Sequence, residues 1–290
     1  MRARRGLVVA GRSRGFGLRL AAGLAGMALA FATPPALASD EAAGLFVWTR
    51  RDAGVLASAR AIDAGLRSAV HVATVTLQGG AIGWRRALTP AIDDGGRREA
   101  IVIRIDDSMH AIWTQAPDDV AGRLSPAIDA ILAQSVSTGA VFDEVDLDYD
   151  APDRMAAAWV RAAAVLARGS LRDRRVWITS IPTHLDAPGF AASLAEARLG
   201  HILQLFDTGL PCTYASYAHV ADRLSAMRTP FRIGVGAFER AGHEGVHACW
   251  ARMARGLRST AGYDGTWIFP AGQRVEALLL SSESDEGTRP

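Results

Sequence analysis

The 290-residue chain contains no lysine, so all 32 of its basic side chains are arginine. We attribute this to genome composition rather than to a binding function. The chain also lacks a hydrophobic run long enough for a transmembrane helix, which needs roughly 20 residues, because its apolar stretch from Leu20 to Ala32 is too short. No glycine-rich phosphate-binding fingerprint follows the first predicted strand, which disfavours a dinucleotide-binding fold. No low-complexity linker divides the chain, so we expect one large domain.

Residues 1–38 have the pattern of a cleaved secretory signal peptide. Six arginines and no acidic residue precede the apolar stretch, and Ala36-Leu37-Ala38 supplies small residues ahead of Ser39. We therefore expect an exported protein, periplasmic or secreted, with no membrane span after cleavage. The basic isoelectric point of about 8.8 comes mostly from this segment. The remaining chain is acidic overall, so we expect no nucleic-acid partner.

The chain has only two cysteines, Cys212 and Cys249, and both follow the signal segment. In an oxidising compartment they can form a disulfide, which would contribute about 3 to 4 kcal/mol of stability in the chain-entropy model. Two separate buried thiols are the alternative. The sequence therefore gives a candidate disulfide rather than an assigned one.

Eight runs rich in β-branched and aromatic residues predict strands, and helical patterns lie between most of them. Their alternation predicts an α/β protein, a single-domain (β/α)₈ barrel of the TIM type, over residues 39–280, with a disordered tail at 281–290. Two connecting segments are less regular: we interpret Trp84–Arg98 as a weak helix or loop and Asp107–Arg123 as an irregular connection. Ser125-Pro126 then predicts the start of a helix. The predicted strands are Gly44–Arg50, Val70–Gln78, Ala100–Asp106, Val141–Asp150, Arg175–Pro182, His201–Asp207, Phe231–Phe238 and Gly265–Pro270.

The fourth predicted strand carries an unusual number of acids. Strand side chains alternate between two faces, so Val145, Leu147 and Tyr149 share one face. The opposite face carries four acids: Glu144, Asp146, Asp148 and Asp150. Like charges this close in a poorly solvated site resist coexisting, and at least one carboxyl should keep its proton to an unusually high pH, which is an arrangement for general acid catalysis. A calcium site and a solvated edge strand are the alternatives.

In a parallel barrel, the active site lies at the carboxyl ends of the strands. Those ends supply acids, amides, arginine, histidine and tryptophan, a mixture that suits a polar ring-shaped ligand such as a sugar. No metal or other cofactor is expected, and we expect a monomer. Besides the acids of the fourth strand, the candidate substrate-binding residues are Trp48, Arg104, His184, Gln204, Asp207, Glu239 and Trp267.

The segment Phe142-Asp-Glu-Val-Asp-Leu-Asp-Tyr-Asp150 resembles the Phe-Asp-Gly-Ile-Asp-Ile-Asp-Trp-Glu strand of the chitinase-like glycoside hydrolases of family 18. In that family the segment forms the fourth barrel strand. Two weaker similarities lie on the expected strands: Gln204-Leu-Phe-Asp207 is similar to the family's sixth-strand segment, and Trp267 to the tryptophan below the sugar. Across the whole chain, the pattern from Phe46-Val-Trp48 to Ile181-Pro-Thr183 is more specifically similar to the bacterial domain-of-unknown-function family 3142.

The resemblance to family 18 implies a role for each matching acid. Asp150 would be the general acid, Asp148 would orient the N-acetyl group of the substrate, Asp146 would tune the charge of Asp148, and Asp207 would contact the sugar. The family uses the amide of the substrate as nucleophile, outside the usual two-carboxylate scheme. This sequence departs from the family pattern at two positions: Asp150 replaces a glutamate, and Phe206 replaces a tyrosine. Both departures favour a substrate other than chitin, or binding without cleavage.

His243-Glu-Gly-Val-His247 matches the H-E-x-x-H signature of zinc metalloproteases. The mechanism requires both histidines on one continuous helix, but Gly242 and Gly245 lower the helix propensity here, and the segment is predicted to be the loop after the seventh strand. Three functions are thus open. The leading one is an exported glycoside hydrolase-like barrel that acts on a carbohydrate through carboxylate catalysis. The alternatives are a catalytically degenerate barrel that binds sugar or the cell envelope, and a zinc metalloprotease.

Overall fold

Among the residues that the structure describes, nine strands form one continuous sheet. The structure is a computed structural model, and it describes residues 44–89, 99–238, 245–273, 275 and 279. The predicted signal segment and the predicted disordered tail at 281–290 lie outside these residues. The strands are β1 (Gly44–Val47), β2 (Arg67–Gln78), β3 (Ala81–Arg86), β4 (Glu99–Ile105), β5 (Phe142–Asp148), β6 (Arg175–Ser180), β7 (Gly200–Gln204), β8 (Phe231–Gly236) and β9 (Tyr263–Phe269).

Eight of these strands close into a parallel barrel. The order around the ring is β1, β9, β8, β7, β6, β5, β4 and β2, and the pairing of β1 with β2 closes it. All of these pairs are parallel, as expected where helices connect consecutive strands. The predicted (β/α)₈ barrel is confirmed.

Helices surround the barrel and cover its outer face. The α-helices are α1 (Arg50–Ile62), α2 (Pro117–Ser137), α3 (Asp153–Arg168), α4 (Phe190–Ala197), α5 (Tyr214–Met227) and α6 (Val246–Ala254). Short 3₁₀ segments occur at Asp107–Ile112, Pro182–Asp186 and Arg255–Ser259. Within the described part of the chain, every helix is too short or too polar to cross a membrane.

The interpretation of the segment that begins at Trp84 as a weak helix or loop was wrong for its first residues. Strand β3 (Ala81–Arg86) pairs antiparallel with the second half of β2. The turn between them is Gly79-Gly80, and both glycines have positive φ angles, 57° and 82°. Two consecutive positive φ angles are typical of a tight hairpin turn, so the glycine pair was a hairpin signal rather than a strand end. Residues 90–98 lie outside the described residues.

The predicted start of the next helix was also wrong. Helix α2 begins at Pro117 rather than at Ser125-Pro126, so the interpretation of the whole segment Asp107–Arg123 as irregular was wrong too. Proline is favoured in the first turn of a helix, and Asp118 and Asp119 complement the helix dipole there. Pro126 lies inside the helix, where the hydroxyl of Ser125 donates to the carbonyl oxygen of Ala121. Two proline signals were present, and the earlier one marks the helix start.

Candidate active site

Strand β5 shows the alternation that its sequence predicts. Val145, Leu147 and Tyr149 point outward and are buried in the core between the barrel and its helices. Glu144, Asp146 and Asp148 lie on the opposite side, in the barrel interior, and all three are almost completely buried. One strand therefore places three carboxyl groups in succession along the barrel axis, and Asp150 follows just beyond the strand.

Glu144, nearest the amino end of β5, belongs to a buried ion pair. Both of its oxygens accept hydrogen bonds from the guanidinium of Arg232, which also contacts Asp264 and lies 3.8 Å from the ring centre of Trp177. Arg67 is a further partner of Glu144, at 3.3 Å. Burial alone would raise the pKa of Glu144, but the hydrogen bond and charge of Arg232 outweigh it, so the pKa is lowered. This layer of the barrel is charged and paired.

Asp146, one layer further along, is in a different state. Its side chain is inaccessible to solvent, and neither carboxyl oxygen has a hydrogen-bond partner among the described residues. Burial, followed by the negative charge of Glu144, raises its pKa well above the usual range. An ionised carboxylate without a partner would carry a large desolvation cost, so burial favours the protonated, neutral form of Asp146.

Asp148, at the carboxyl end of β5, contacts residues from the neighbouring strands. Arg104 of β4 donates to Asp148 Oδ2 at 3.2 Å, and Gln204 of β7 donates to Oδ1 at 3.4 Å. Burial, and then the negative charge of Asp150, raise the pKa of Asp148 to about 6. Asp148 can therefore change its protonation state near neutral pH.

Asp150 lies at the opening of the barrel. Its side chain is 46% exposed, and its carboxylate lies 3.5 Å from the guanidinium of Arg104. Arg104 thus contacts both Asp148 and Asp150. Partial exposure leaves Asp150 accessible to solvent and to a molecule in the barrel opening.

Arg104, Asp148 and Asp150 border a cavity of about 480 Å³ at the carboxyl ends of the strands. Its walls combine aromatic rings with carboxylates, a guanidinium, an amide and hydroxyls. Phe206 and Phe269 stack with nearly parallel rings, 5.0 Å apart. Such a mixture of apolar surface and a few convergent polar groups is typical of ligand sites. The lining residues are Phe46, Trp48, Val102, Arg104, Asp148, Asp150, Thr179, Ile181, Gln204, Phe206, Asp207, Thr208 and Phe269.

Four of the seven predicted substrate-binding residues line this cavity: Trp48, Arg104, Gln204 and Asp207. Trp267 does not. It is 1% exposed and packs in the barrel interior against Phe46 and below the guanidinium of Arg67.

His184 is also away from the cavity, because it is buried and its Nε2 is 2.6 Å from the carbonyl oxygen of Ala151. It fixes the segment that follows Asp150. Glu239 lies outside the described residues.

Several cavity residues were not selected from the sequence. Phe46, Thr179, Ile181 and Phe269 each lie two positions along a strand from a residue that faces the interior or the cavity. The period-two alternation of strands would have identified them, because residues i and i+2 share a face. Phe269 in particular takes the place at the mouth that had been expected for Trp267.

The geometry of the zinc-protease motif is not met. Helix α6 begins at Val246, and Gly245 ahead of it has a positive φ of 76°, so the helix that carries His247 starts after Glu244. His243 and Glu244 lie outside the described residues. His247 is buried, and its Nδ1 is 2.6 Å from the carbonyl oxygen of Phe238. Within the described ranges, no group of three or more histidine, cysteine or acidic side chains could hold a metal ion.

Cys212 and Cys249 form a disulfide, with their Cα atoms 6.1 Å apart. The bond joins the loop after β7 to helix α6. The disulfide therefore lies near the mouth of the barrel, and Cys212 is in the same loop as Asp207.

Comparison with known proteins gives the fold. No protein-family model and no curated protein matches the sequence. Among solved structures, the chain is similar to a chitinase from Chromobacterium violaceum, with a TM-score of 0.61 and 12% identity over 86% of this chain and 100% of that one. It is also similar to the spore cortex-lytic enzyme SleL of Bacillus megaterium, with a TM-score of 0.57 and 11% identity over 83% of this chain and 73% of that one. These similarities support the TIM-barrel fold.

Proposed function

We propose that the cavity binds a carbohydrate and that the protein hydrolyses a glycosidic bond there. The observation that carries this proposal is the position of Asp148 and Asp150, which enter one cavity from the end of a single strand. The aromatic rings of Trp48, Phe206 and Phe269 offer apolar surface to a sugar ring, while the carboxylates and Gln204 offer hydrogen bonds to its hydroxyl groups. Similarity to the chitinase and to SleL supports the same class of reaction.

In this mechanism Asp150 is the proton donor. A proton retained by the Asp148–Asp150 pair is delivered from Asp150 to the glycosidic oxygen, the bond from that oxygen to the anomeric carbon breaks, and the bonding electron pair stays with the leaving oxygen. Asp148, ionised, stabilises the positive charge that develops at the sugar. For a substrate with an acetamido group, the family resemblance implies that the amide oxygen bonds to the anomeric carbon, and that water then opens this intermediate.

Two features of the cavity favour a substrate other than chitin. The aspartate at position 150 is one methylene shorter than the glutamate of family 18, roughly 1.5 Å, and an error of about 1 Å in a catalytic group can cost some hundredfold in rate. Phe206 presents an apolar ring where the family has a tyrosine hydroxyl, so the wall offers no hydrogen bond to an amide at that point. A glycan with a different substituent fits this wall better.

A second candidate function is sugar binding without cleavage. It is favoured by Arg104, which contacts both Asp148 and Asp150 and so occupies oxygens that a hydrolase would use. Binding of glycans that are never cut would support this function over hydrolysis.

The test compares turnover of a panel of labelled glycans, including chitin and peptidoglycan fragments, by wild type, Asp148→Asn and Asp150→Asn. We expect both substitutions to abolish turnover. The matched control is Asp173→Asn, which makes the same chemical change at a side chain that is 81% exposed. Equal residual rates in all four proteins would refute the hydrolase proposal.

We also propose that the chain belongs to the domain-of-unknown-function family 3142 and is exported, with residues 1–38 removed. The extended pattern from Phe46 to Thr183 supports the family assignment. The arginine-rich start, the short apolar run and the small residues before Ser39 support export.

A further inference from the structure

Asp207, on the wall of the cavity, has a backbone conformation that its neighbours must maintain. It lies three residues after Gln204, the end of β7, and its φ angle is 55° although it is not a glycine. The left-handed conformation costs most residues about 1 to 2 kcal/mol, and aspartate tolerates it better than most because its short side chain can hydrogen-bond locally. The direction of the Asp207 carboxylate therefore depends on the contacts that fix this turn.

His247 makes such a contact. It lies in the first turn of α6 and is 3% exposed. Its Nδ1 is 2.6 Å from the carbonyl oxygen of Phe238, and since a carbonyl only accepts, Nδ1 carries a proton and donates. Its Nε2 lies 3.4 Å from the backbone nitrogen of Asp207 and 3.5 Å from Oδ1 of the same residue. A neutral ring accepts from the amide, and a protonated ring donates to the carboxylate, so the ring contacts Asp207 in either state.

The same helix holds the rest of this loop. The indole Nε1 of Trp250 donates to the carbonyl oxygen of Leu210 at 3.2 Å, and Cys249 is bonded to Cys212. Helix α6 thus contacts the loop 207–212 near its start, in its middle and at its end. We call this set of contacts, made by His247, Cys249 and Trp250, the α6 clamp.

We propose that His247 is a positioning residue, which sets the Asp207 carboxylate in the cavity for contact with the bound sugar. This inference rests on the proposed function, because a sugar is the ligand that Asp207 would contact. It assigns a role without a metal to the second histidine of the H-E-x-x-H sequence. The cavity wall on this side is then held by α6, which does not itself line the cavity.

Two substitutions separate the two ring nitrogens. In His247→Asn the side-chain amide can still donate to the Phe238 carbonyl, as Nδ1 does, but it is too short to reach Asp207. In His247→Gln the longer side chain places its terminal amide near the position of Nε2, where it can accept from the Asp207 amide or donate to its carboxylate. A merely structural role for the ring would make the two variants equal.

The first readout needs no ligand. We expect hydrogen–deuterium exchange of the peptide that contains Asp207 to become at least about tenfold faster in His247→Asn, because its amide loses an acceptor, and to return toward the wild-type rate in His247→Gln. Peptides of α3 serve as the internal control, because that helix makes no part of the clamp. Equal protection in wild type and His247→Asn would overturn the positioning role, whatever the protein does with sugars.

The second readout follows binding by calorimetry, with chitotetraose and a peptidoglycan tetrasaccharide as the two probes. We expect His247→Asn to weaken the affinity by about tenfold, His247→Gln to weaken it less, and His247→Asn to have no further effect when Asp207 is already alanine. If wild type turns either probe over, the loss falls on KM rather than on kcat. Loss of affinity that is the same in both backgrounds would overturn the inference. Failure of wild type to bind any glycan would refute the proposed function and with it the sugar contact, while the exchange experiment still decides whether His247 holds the loop.

Discussion

Asp148 and Asp150 are two residues apart and have the same chemistry, but their surroundings differ. Asp148 is buried and contacts Arg104 and Gln204, whereas nearly half of the Asp150 side chain is exposed to solvent. Their proximity makes ionisation of one unfavourable for the other. In the proposed mechanism the enclosed carboxyl of Asp148 would stabilise charge, and the accessible carboxyl of Asp150 would donate the proton.

The raised pKa of Asp148 predicts a pH-dependent stability. Burial, and then the charge of Asp150, bring this pKa to about 6, while an aspartate in an unfolded chain titrates near pH 4. Between these values the folded protein keeps a proton that the unfolded chain has released. The contribution of Asp148 is therefore fully present below about pH 4 and decreases as the pH rises to about 6, by at most about 1.4 kcal/mol per pH unit.

Urea unfolding at a series of pH values measures this effect. We expect the free energy of unfolding of wild type, relative to that of Asp148→Asn, to decrease across this pH window, because asparagine does not titrate. Asp173→Asn again serves as the control and should follow wild type. A difference between wild type and Asp148→Asn that is constant with pH would contradict the raised pKa.

Strand β5 as an element carries its acids in three different states. Glu144 is ionised and paired with Arg232, Asp146 is buried in favour of its neutral form and without a hydrogen-bond partner among the described residues, and Asp148 is in contact with the cavity. The three acids follow one another along the barrel axis, from the charged layer in the interior to the solvent-accessible opening. The strand therefore supplies both the packing and the chemistry of the site.

The different states of Glu144 and Asp146 predict that two similar substitutions change the stability by very different amounts. Asp146→Asn puts a neutral amide of the same shape in place of a carboxyl whose neutral form burial favours, so we expect the free energy of unfolding at pH 7 to change by less than about 1 kcal/mol. Glu144→Gln removes the main partner of a buried guanidinium, and we expect a loss of about 3 to 5 kcal/mol. Thermal and urea unfolding measure both variants. If Asp146→Asn were as destabilising as Glu144→Gln, Asp146 would have to be ionised and stabilised in the folded protein.

The sequence predicted the orientation of the acids on β5, but it did not predict which arginines contact them. Alternation along β5 is a local property, so the inward direction of the acids could be inferred from residues 141–150 alone. The positions of Arg104 and Arg232 opposite those acids depend on the register between strands that are distant in sequence, which no local pattern contains. For the same reason Trp267 was expected at the mouth, although it lies one layer deeper and Phe269 faces the cavity.

Helix and hairpin boundaries show a related limit. Pro117 and Pro126 are both acceptable at the start of a helix, and the choice between them depends on where the chain leaves β4 and its 3₁₀ segment. The hairpin of β2 and β3 extends the sheet beyond the alternating strand and helix pattern, so the pattern alone gave no place for it. Local propensity therefore predicted which elements exist better than where they begin.

At the scale of the whole molecule, the disulfide and the signal segment make a joint prediction. Protein recovered from the periplasm or medium of its producing cell should begin at Ser39 and should contain no free thiol after denaturation. Replacing both Cys212 and Cys249 by serine should lower the free energy of unfolding by about 3 to 4 kcal/mol, since the bond closes a loop with a sequence separation of 37.

Intact-mass measurement, thiol titration and urea unfolding test these statements separately. Two reactive thiols in the recovered protein would contradict the bond, and an N-terminus upstream of residue 39 would contradict cleavage at the predicted position. The double serine variant should retain the barrel, because the eight strands close without the disulfide.

The barrel itself is a shared scaffold, and its similarity to a chitinase and to SleL does not transfer their substrates. What distinguishes this chain lies at the mouth: the shorter acid at position 150, the phenyl ring at position 206 and the guanidinium of Arg104 between two carboxylates. Specificity in barrels of this kind depends on side chains at strand ends, so on the proposed function we expect these three positions to select the substrate.

The first strand enters the barrel at its base, since β1 runs parallel to β5 and Asp148 marks the carboxyl end that opens to solvent. A tag or solid support attached ahead of Gly44 would therefore join the barrel at the amino ends of its strands, away from the opening at their carboxyl ends. Phe269, by contrast, ends β9 at the open end of the barrel and lines the cavity. Surface immobilisation through the amino side should therefore preserve access to the cavity.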